Sequence, residues 1–171
     1  MKTIQLFLIL ILIASCSSQK PIVNSKGNLV GISQKSDFQN GSFKTWFDSE
    51  YTDYTLDSKK VSAIKNNLDN ITIKAFMGTW CGDSRREVPR FYKLLDQVVF
   101  KAKNFQMIAL DRSKQTPDNL QEGFDINYVP TFIFYKNNKE IGRIVESPIK
   151  TLEADFLTII TGKPYIPNYA E

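Results

Sequence analysis

Residues 77–84, which form the stretch Met-Gly-Thr-Trp-Cys-Gly-Asp-Ser, join two segments of different periodicity. The preceding residues 71–77 are almost all apolar, which predicts a strand, whereas apolar residues from Val88 onward recur at three- and four-residue spacing, which predicts a helix. Cys81 is therefore expected at the start of a helix, where unpaired N–H groups and the helix dipole favour a thiolate by roughly 0.3–1 kcal/mol. The sequence predicts that Cys81 is a reactive thiol.

Four separated landmarks resemble the thioredoxin superfamily. They are the Trp-Cys-Gly triplet at residues 80–82, Pro89 where the family carries a proline in its active-site helix, the Val-Pro-Thr segment at residues 129–131, and a closing hairpin over residues 132–141. In the hairpin Asn138 takes the place of the usual glycine, and asparagine tolerates a left-handed backbone. The resemblance implies an α/β fold, a thioredoxin-like three-layer α/β/α sandwich with a central mixed sheet and an N-terminal extension.

The resemblance also implies which residues form the site. It places Cys81 as the nucleophile, Trp80 beside it, and a cis Pro130 that faces the thiol and leaves the neighbouring backbone free to pair with an extended substrate. The expected catalytic residues are Trp80, Cys81, Ser84 and Pro130, and the expected substrate-binding residues are Gly82, Asp83, Val129 and Thr131. Arg85 and Arg86 are expected near the sulfur, where positive charge would favour the thiolate, and Asp83 would oppose them.

Two departures from the family pattern affect the predicted chemistry. Ser84 replaces the second cysteine of the Cys-x-x-Cys motif, and Ala75 replaces a buried aspartate on the preceding strand. Cys81 can still attack an external disulfide to form a mixed disulfide, but Ser84 cannot release the product. Release must then come from the substrate's own thiol or from an external thiol reductant.

Two functions remain open on these grounds. One is monothiol disulfide exchange or isomerisation with protein disulfides or thiols as substrates, and it follows from the retention of Trp80, Cys81 and Pro130. The other is a non-catalytic peptide-binding or adaptor protein of the same fold, and it follows from the loss of cysteine at Ser84 and of aspartate at Ala75.

The N-terminus predicts export and a lipid anchor. Lys2 and an apolar run over residues 4–14 are typical of a secretory signal peptide, and this run is too short to span a bilayer. Ile-Ala-Ser-Cys at residues 13–16 resembles the lipobox of bacterial lipoproteins, in which Cys16 is acylated; an ordinary cleavage site with a spectator cysteine is the alternative. We therefore expect a signal peptide over residues 1–15, a lipidated N-terminus and tether over 16–35, and a thioredoxin-like domain over 36–165. The expected location is the bacterial cell envelope, lipid-anchored on the periplasmic or other extracytoplasmic face.

Composition excludes several other classes. The chain of 171 residues has 42% apolar and 23% charged residues, which is typical of one globular domain. Its net charge of +4 contains no basic run beyond the Arg85-Arg86 pair, so no nucleic-acid partner is expected. It has no histidine and only two cysteines, which argues against a metal site and rules out a Cys–His catalytic pair. No cofactor is predicted.

The remaining elements follow from periodicity and capping residues. The sequence predicts an edge strand over residues 28–32, helices over 42–54 (capped by Ser42) and from Asp57 or Ser58 to Asn70, a strand over 105–110, a short helix over 116–123, and a last helix that begins at Ser147 and Pro148.

Overall fold

The central sheet has six strands and mixed directions. The structure, a computed structural model, describes residues 20–169, so the predicted signal peptide and Cys16 lie outside the described residues. In spatial order the strands are β1, β2, β4, β3, β5 and β6; β3 and β4 are parallel, and the other pairs are antiparallel. The strands are β1 (Ile22–Val23), β2 (Leu29–Ser33), β3 (Ile71–Met77), β4 (Phe105–Ala109), β5 (Thr131–Lys136) and β6 (Lys139–Val145).

The helices contribute to one large apolar core against a single face of the sheet. They are α1 (Lys35–Phe38), α2 (Lys44–Asp53), α3 (Ser58–Lys65), α4 (Gly82–Gln97) and α5 (Leu152–Ile160), with short 3-10 turns at Gly41–Phe43 and Ala102–Asn104. Phe91 of α4 stacks on Phe132 of β5 with ring centroids 4.1 Å apart, at the centre of this core. The predicted thioredoxin-like α/β fold with a mixed central sheet is confirmed. Within residues 20–169 the second helical layer of the predicted α/β/α sandwich is replaced by turns.

The opposite face of the sheet is covered by turns. A smaller apolar cluster there joins Phe76 and Ile108 to the segment of residues 111–130, and the Phe76 and Phe124 rings lie 5.2 Å apart. The predicted helix over residues 116–123 is wrong, because this segment forms turns. Two of its backbone amides donate hydrogen bonds to side-chain oxygens. Thr116 Oγ1 accepts from the Leu120 amide at 2.9 Å, and Gln121 Oε1 accepts from the Thr116 amide at 3.0 Å.

The N-terminal part of the described chain belongs to the sheet. The strand predicted at residues 28–32 is found as β2, but it is not at the edge, because β1 pairs with it on its outer side. Both strands fall within the predicted tether, so the folded unit begins before the domain boundary expected at residue 36.

Several predicted caps can be compared with the structure. Asp57 caps α3, accepting from the Lys59 amide at 2.9 Å, and the turn at Asn137 and Asn138 has the predicted left-handed backbone. The cap predicted at Ser42 is wrong, because Ser42 lies inside the 3-10 turn that precedes α2.

The last helix also begins later than predicted. It starts at Leu152, and its cap is Thr151, whose hydroxyl accepts from the Ala154 amide at 3.2 Å. The start predicted at Ser147 and Pro148 is wrong. Among residues 20–169, no helix is long and apolar enough to cross a membrane.

Candidate functional site

Cys81 lies at the junction between β3 and α4, as its sequence context predicts. It is the N-cap residue of α4, with extended backbone, and its carbonyl accepts the first helical hydrogen bond, from the Arg85 amide at 3.1 Å. Its side chain is partly exposed. The thiol therefore stands at the positive end of a helix of 16 residues and is open to solvent.

The thiol meets the segment that contains Pro130. The Val129–Pro130 peptide bond is cis, as expected, and the thiol of Cys81 donates a hydrogen bond to the Val129 carbonyl at 3.2 Å. Folding thus brings together two residues that are 48 positions apart in sequence. The Val129 and Pro130 side chains are buried, so this segment presents its backbone to the thiol.

Thr131 contributes to this segment through its hydroxyl. The side chain is buried, and Oγ1 donates to the Tyr128 carbonyl at 2.7 Å. We predicted that Thr131 binds substrate, but the structure gives its side chain no open surface. Its observed contact holds the backbone on the N-terminal side of Val129.

Trp80, which directly precedes Cys81, is fixed by two contacts. The indole Nε1 donates to the Leu110 carbonyl at 3.0 Å, and the ring covers Gly78 so closely that a Cβ there would lie 2.5 Å from Cε2. The Arg112 guanidinium lies over the outer side of the ring, 5.5 Å from its centroid. Gly78 is therefore required for the observed position of Trp80.

Ser84 is bonded through its hydroxyl to the backbone and not to the thiol. It is fully buried one turn into α4, where its hydroxyl accepts from the Gly78 amide at 3.1 Å. Ser84 was predicted as a catalytic residue, and the hydrogen bond observed for its hydroxyl is to the backbone. Ser84 instead links the first turn of the helix to the end of β3.

The two arginines that we expected near sulfur are bonded elsewhere. Arg85 Nε donates to the Thr79 carbonyl at 2.6 Å, and the Arg86 guanidinium contacts Asp83 at 2.7 Å and Glu87 at 2.6 Å. The hydrogen bonds of both guanidinium groups thus go to a backbone carbonyl and to carboxylates, and the predicted effect of their charge on the thiolate stays a prediction. Of the features predicted to favour the thiolate, the position of Cys81 at the N-terminus of α4 is observed.

Glu87 is the buried carboxyl group closest in sequence to Cys81 on this helix. Burial raises the pKa of Glu87, and the hydrogen bond from Arg86 opposes this effect. The same bond raises the pKa of Arg86. Asp83 and Glu87 thus hold Arg86 along the helix, and Gly82 stays exposed beside the thiol.

A loop contact that sequence reasoning missed connects the site to the N-terminal strand. The Thr79 hydroxyl accepts from the Leu29 amide at 3.1 Å, and both residues are buried. The motif does not predict the role of Thr79, because its partner Leu29 is distant in sequence. It does not predict the role of Gly78 either, because that role depends on the Trp80 ring, which folds back over the backbone. Tyr128, which directly precedes Val129 and whose carbonyl accepts from the Thr131 hydroxyl, was also not among the predicted site residues.

Two cavities in the described part of the chain do not include Cys81 in their linings. One of them, of about 1050 Å³, lies where β3 and β4 begin, at the opposite end of the sheet from Cys81. A smaller cavity of about 160 Å³ lies between Tyr128, Thr131 and the C-terminal tail. A partly exposed thiol outside these cavities suits a chain segment better than an enclosed small molecule.

Similarity to known proteins agrees with this geometry. The Thioredoxin family model matches residues 55–157, a range that includes Cys81 and Pro130. Thioredoxin-2 of Saccharomyces cerevisiae is 31% identical over 77 residues, covering 45% of this chain and 68% of that protein. Thioredoxin H9 of Arabidopsis thaliana is 28% identical over 98 residues, covering 57% of this chain and 66% of that protein.

A solved structure supports the fold over a larger part of the chain. The crystal structure of a protein of unknown function from Pseudomonas aeruginosa superposes with a TM-score of 0.59 and 13% identity, covering 77% of this chain and 93% of that one. At that identity the likeness concerns the fold alone.

Proposed function

The chain belongs to the thioredoxin family, and on that premise we propose that it exchanges disulfides with protein substrates as a monothiol, through Cys81. The observation that carries the proposal is the 3.2 Å contact between the Cys81 thiol and the Val129 carbonyl. A substrate chain that paired with the backbone of Val129 would bring its own disulfide against this sulfur.

The chemistry begins with the Cys81 thiolate. It attacks one sulfur of a substrate disulfide, a mixed disulfide forms, and the other substrate sulfur leaves as a thiolate that takes a proton from water. If that thiolate attacks the mixed disulfide, Cys81 is released and the substrate disulfide re-forms. If another substrate thiolate attacks instead, the substrate leaves with a rearranged disulfide and no net redox change.

Net reduction by this route requires two external thiols. The first attacks the Cys81 sulfur of the mixed disulfide, which frees the substrate as a dithiol and leaves Cys81 bonded to the external thiol. The second restores Cys81 and leaves with the first as an external disulfide. Because Ser84 carries no thiol and is bonded to the Gly78 amide, no group at that position substitutes for these external thiols.

The experiment is a search for trapped complexes with a disulfide-containing model protein. Wild type should form covalent complexes that dithiothreitol reverses, and Cys81→Ser should form none. Ser84→Ala is the matched control, because it alters the neighbouring helical turn and keeps the thiol. An absence of covalent complexes with wild type would contradict the proposal.

The second candidate function is a binding protein without turnover. It is favoured by one observation, that the Arg85 and Arg86 guanidinium groups are bonded to the Thr79 carbonyl and to carboxylates. Binding of model clients that is equal in wild type and Cys81→Ser, with no covalent product, would support this function over exchange.

For location, we propose that the mature chain begins at an acylated Cys16 and faces the extracytoplasmic side of a bacterial membrane. The support is the apolar run over residues 4–14 followed by Ala-Ser-Cys at residues 14–16. One acyl chain anchors a protein only weakly, so we expect more than one lipid chain. Intact mass of the membrane fraction should show lipid on Cys16, and a soluble protein that starts elsewhere would contradict this.

A further inference from the structure

Two exposed tyrosines stack beside the segment that meets the thiol. The rings of Tyr128 and Tyr169 are nearly parallel, at 14°, with centroids 4.2 Å apart. Tyr128 is 39% exposed and Tyr169 is 60% exposed, so the pair presents a large aromatic surface to solvent. Tyr169 belongs to the tail that follows α5 and lies outside the range matched by the Thioredoxin family model.

The tail is attached by specific hydrogen bonds. Asn168 Nδ2 donates to the Val145 carbonyl at 3.2 Å and to the Ser147 carbonyl at 2.9 Å, and the Tyr165 hydroxyl donates to Asp155 at 3.0 Å. These contacts hold the chain directly before Tyr169 against the end of β6. The tail therefore packs against the domain and forms part of this surface.

The tyrosine pair is close to the thiol. Tyr128 immediately precedes Val129, whose carbonyl lies 3.2 Å from the Cys81 sulfur. A hydrogen bond to Glu146 raises the pKa of Tyr169, and the charge of Asp83, two residues after Cys81, contributes further to this rise. Tyr169 thus lies within electrostatic reach of the first turn of α4.

The surroundings of the pair carry negative charge. Within residues 20–169, neither Glu146 nor Asp125 forms an ion pair. The charge of Glu146 acts on the Tyr169 hydroxyl, and Asp125 lines the small cavity together with both tyrosines. The neighbouring arginines are neutralised: Arg86 contacts Asp83 and Glu87, and Arg143 contacts Glu140 at 2.8 Å. A positive side chain is thus the complementary partner for this surface.

We propose that the Tyr128–Tyr169 pair binds an arginine side chain of the protein substrate, close in sequence to the cysteine that Cys81 attacks. Arginine fits because its planar guanidinium stacks on aromatic rings and stays charged, so that both the rings and the carboxylate rim attract it. The inference rests on the proposed function, which supplies the substrate segment beside Val129. It adds a preference for basic segments to that function.

The test compares two peptides that differ in one side chain. Each peptide contains a single cysteine, held as a disulfide with 2-mercaptoethanol. Arginine, or its neutral isostere citrulline, is placed one or two residues before or after that cysteine, and each of these four positions is tested in turn. Stopped-flow mixing followed by mass spectrometry gives the rate constant for mixed-disulfide formation with Cys81. For at least one position wild type should react with the arginine peptide about two- to fivefold faster, the effect of about 0.5–1 kcal/mol expected for an exposed cation–π contact.

The variants locate the preference on the two rings. Tyr128→Ala and Tyr169→Ala should each bring the arginine-to-citrulline ratio close to one, and Tyr169→Phe should keep most of it. Ile166→Ala is the matched control, because Ile166 lies in the same tail and is 75% exposed, outside the stacked pair. It should keep the full ratio.

Two results would overturn the inference: a ratio of one in wild type at every position, or a ratio that survives both alanine substitutions. Its failure can be distinguished from that of the proposed function. If wild-type Cys81 does not react even with 2-hydroxyethyl disulfide, the exchange function fails. Binding of the arginine and citrulline peptides, with their cysteine replaced by serine, is then measured by calorimetry with Cys81→Ser, and this measurement decides the inference. Tighter binding of the arginine peptide that is lost in Tyr169→Ala supports it, and equal binding overturns it.

Discussion

The hydroxyl of Ser84 accepts a hydrogen bond from the amide of Gly78 at 3.1 Å, in a place that solvent does not reach. Ser84 occupies the position at which a dithiol relative would carry its second cysteine. The bond fastens the first turn of α4 to the end of β3, where the backbone turns toward Cys81. The serine thus has a structural role, which is independent of redox chemistry.

Ser84→Cys is predicted to convert the protein into a faster net disulfide reductant. A thiol there would attack the mixed disulfide at Cys81 intramolecularly, with an effective concentration above that of millimolar external thiols, so turnover of a model protein disulfide should rise about tenfold or more. Because sulfur is a weak acceptor for the Gly78 amide, the variant should lose about 1 kcal/mol of unfolding free energy. Turnover at matched reductant and urea unfolding measure the two effects.

Ser84→Ala separates these effects. It removes the acceptor and adds no thiol, so it should lose stability and gain no turnover. If wild type already turns over as fast as Ser84→Cys, release from the mixed disulfide does not limit the rate, and this account of Ser84 is wrong.

Gly78→Ala is predicted to displace Trp80. A Cβ would lie 2.5 Å from Cε2 of the ring, a distance at which the indole must move, and the bond from Nε1 to the Leu110 carbonyl would break. The indole N–H resonance of Trp80 should shift in ¹H–¹⁵N spectra, with about 1–3 kcal/mol lost in unfolding free energy. Gly82→Ala is the control, since a Cβ there meets no atom within 4 Å. An unshifted resonance in Gly78→Ala would contradict the contact.

Glu87→Gln is predicted to gain stability relative to wild type as the pH rises. Burial raises the pKa of Glu87 above its ordinary value, so the folded protein binds this proton more tightly than the unfolded chain does. Wild type therefore loses stability as the pH rises from about 4.3 through the folded pKa, whereas glutamine stays neutral. Urea unfolding at pH 4 and pH 7 should show a difference between variant and wild type that favours the variant more at pH 7.

The exposed Glu122 provides the control for that comparison. Glu122→Gln should change the unfolding free energy by a similar small amount at both pH values, because solvent screens its charge. A Glu87→Gln difference that is constant with pH, or that favours wild type at pH 7, would mean that the bond from Arg86 outweighs burial.

Sequence alone predicted the parts of the fold that depend on local pattern. The strand before Cys81, the helix after it and the cis Pro130 segment were all recognisable, since each has its own periodicity or motif. The helix over residues 116–123 was not correctly predicted, because the Thr116 hydroxyl accepts from the Leu120 amide, which a helix would pair with the Thr116 carbonyl.

Hydrogen-bond partners that spacing does not reveal also limited what could be predicted of the last helix and of the site. The last helix begins at Leu152 because Asp155 binds the Ile149 and Lys150 amides, a contact that spacing does not reveal. Likewise, Arg85 was expected near sulfur on position alone, and the Thr79 carbonyl is its actual partner. The sequence predicts that Cys81 meets the Pro130 segment, whereas the partners of Ser84, Arg85 and Thr79 depend on the assembled backbone.

Thr79→Val is predicted to weaken the link between the N-terminal strand and the site. The Thr79 hydroxyl accepts from the Leu29 amide at 3.1 Å, and valine has the same shape without an acceptor. The buried amide of Leu29 would be left unpaired, which costs about 1–3 kcal/mol of unfolding free energy. Thr79→Ser keeps the acceptor and should retain most of the stability in urea unfolding.

The same pair of variants tests whether this link also controls the thiol. Leu29 begins β2, and Thr79 lies two residues before Cys81, so loss of the bond should loosen the loop that fixes the sulfur against the Val129 carbonyl. Alkylation of Cys81 by iodoacetamide should therefore be faster in Thr79→Val than in Thr79→Ser under native conditions. Equal alkylation rates, together with the predicted loss of stability, would mean that the bond stabilises the sheet without constraining the site.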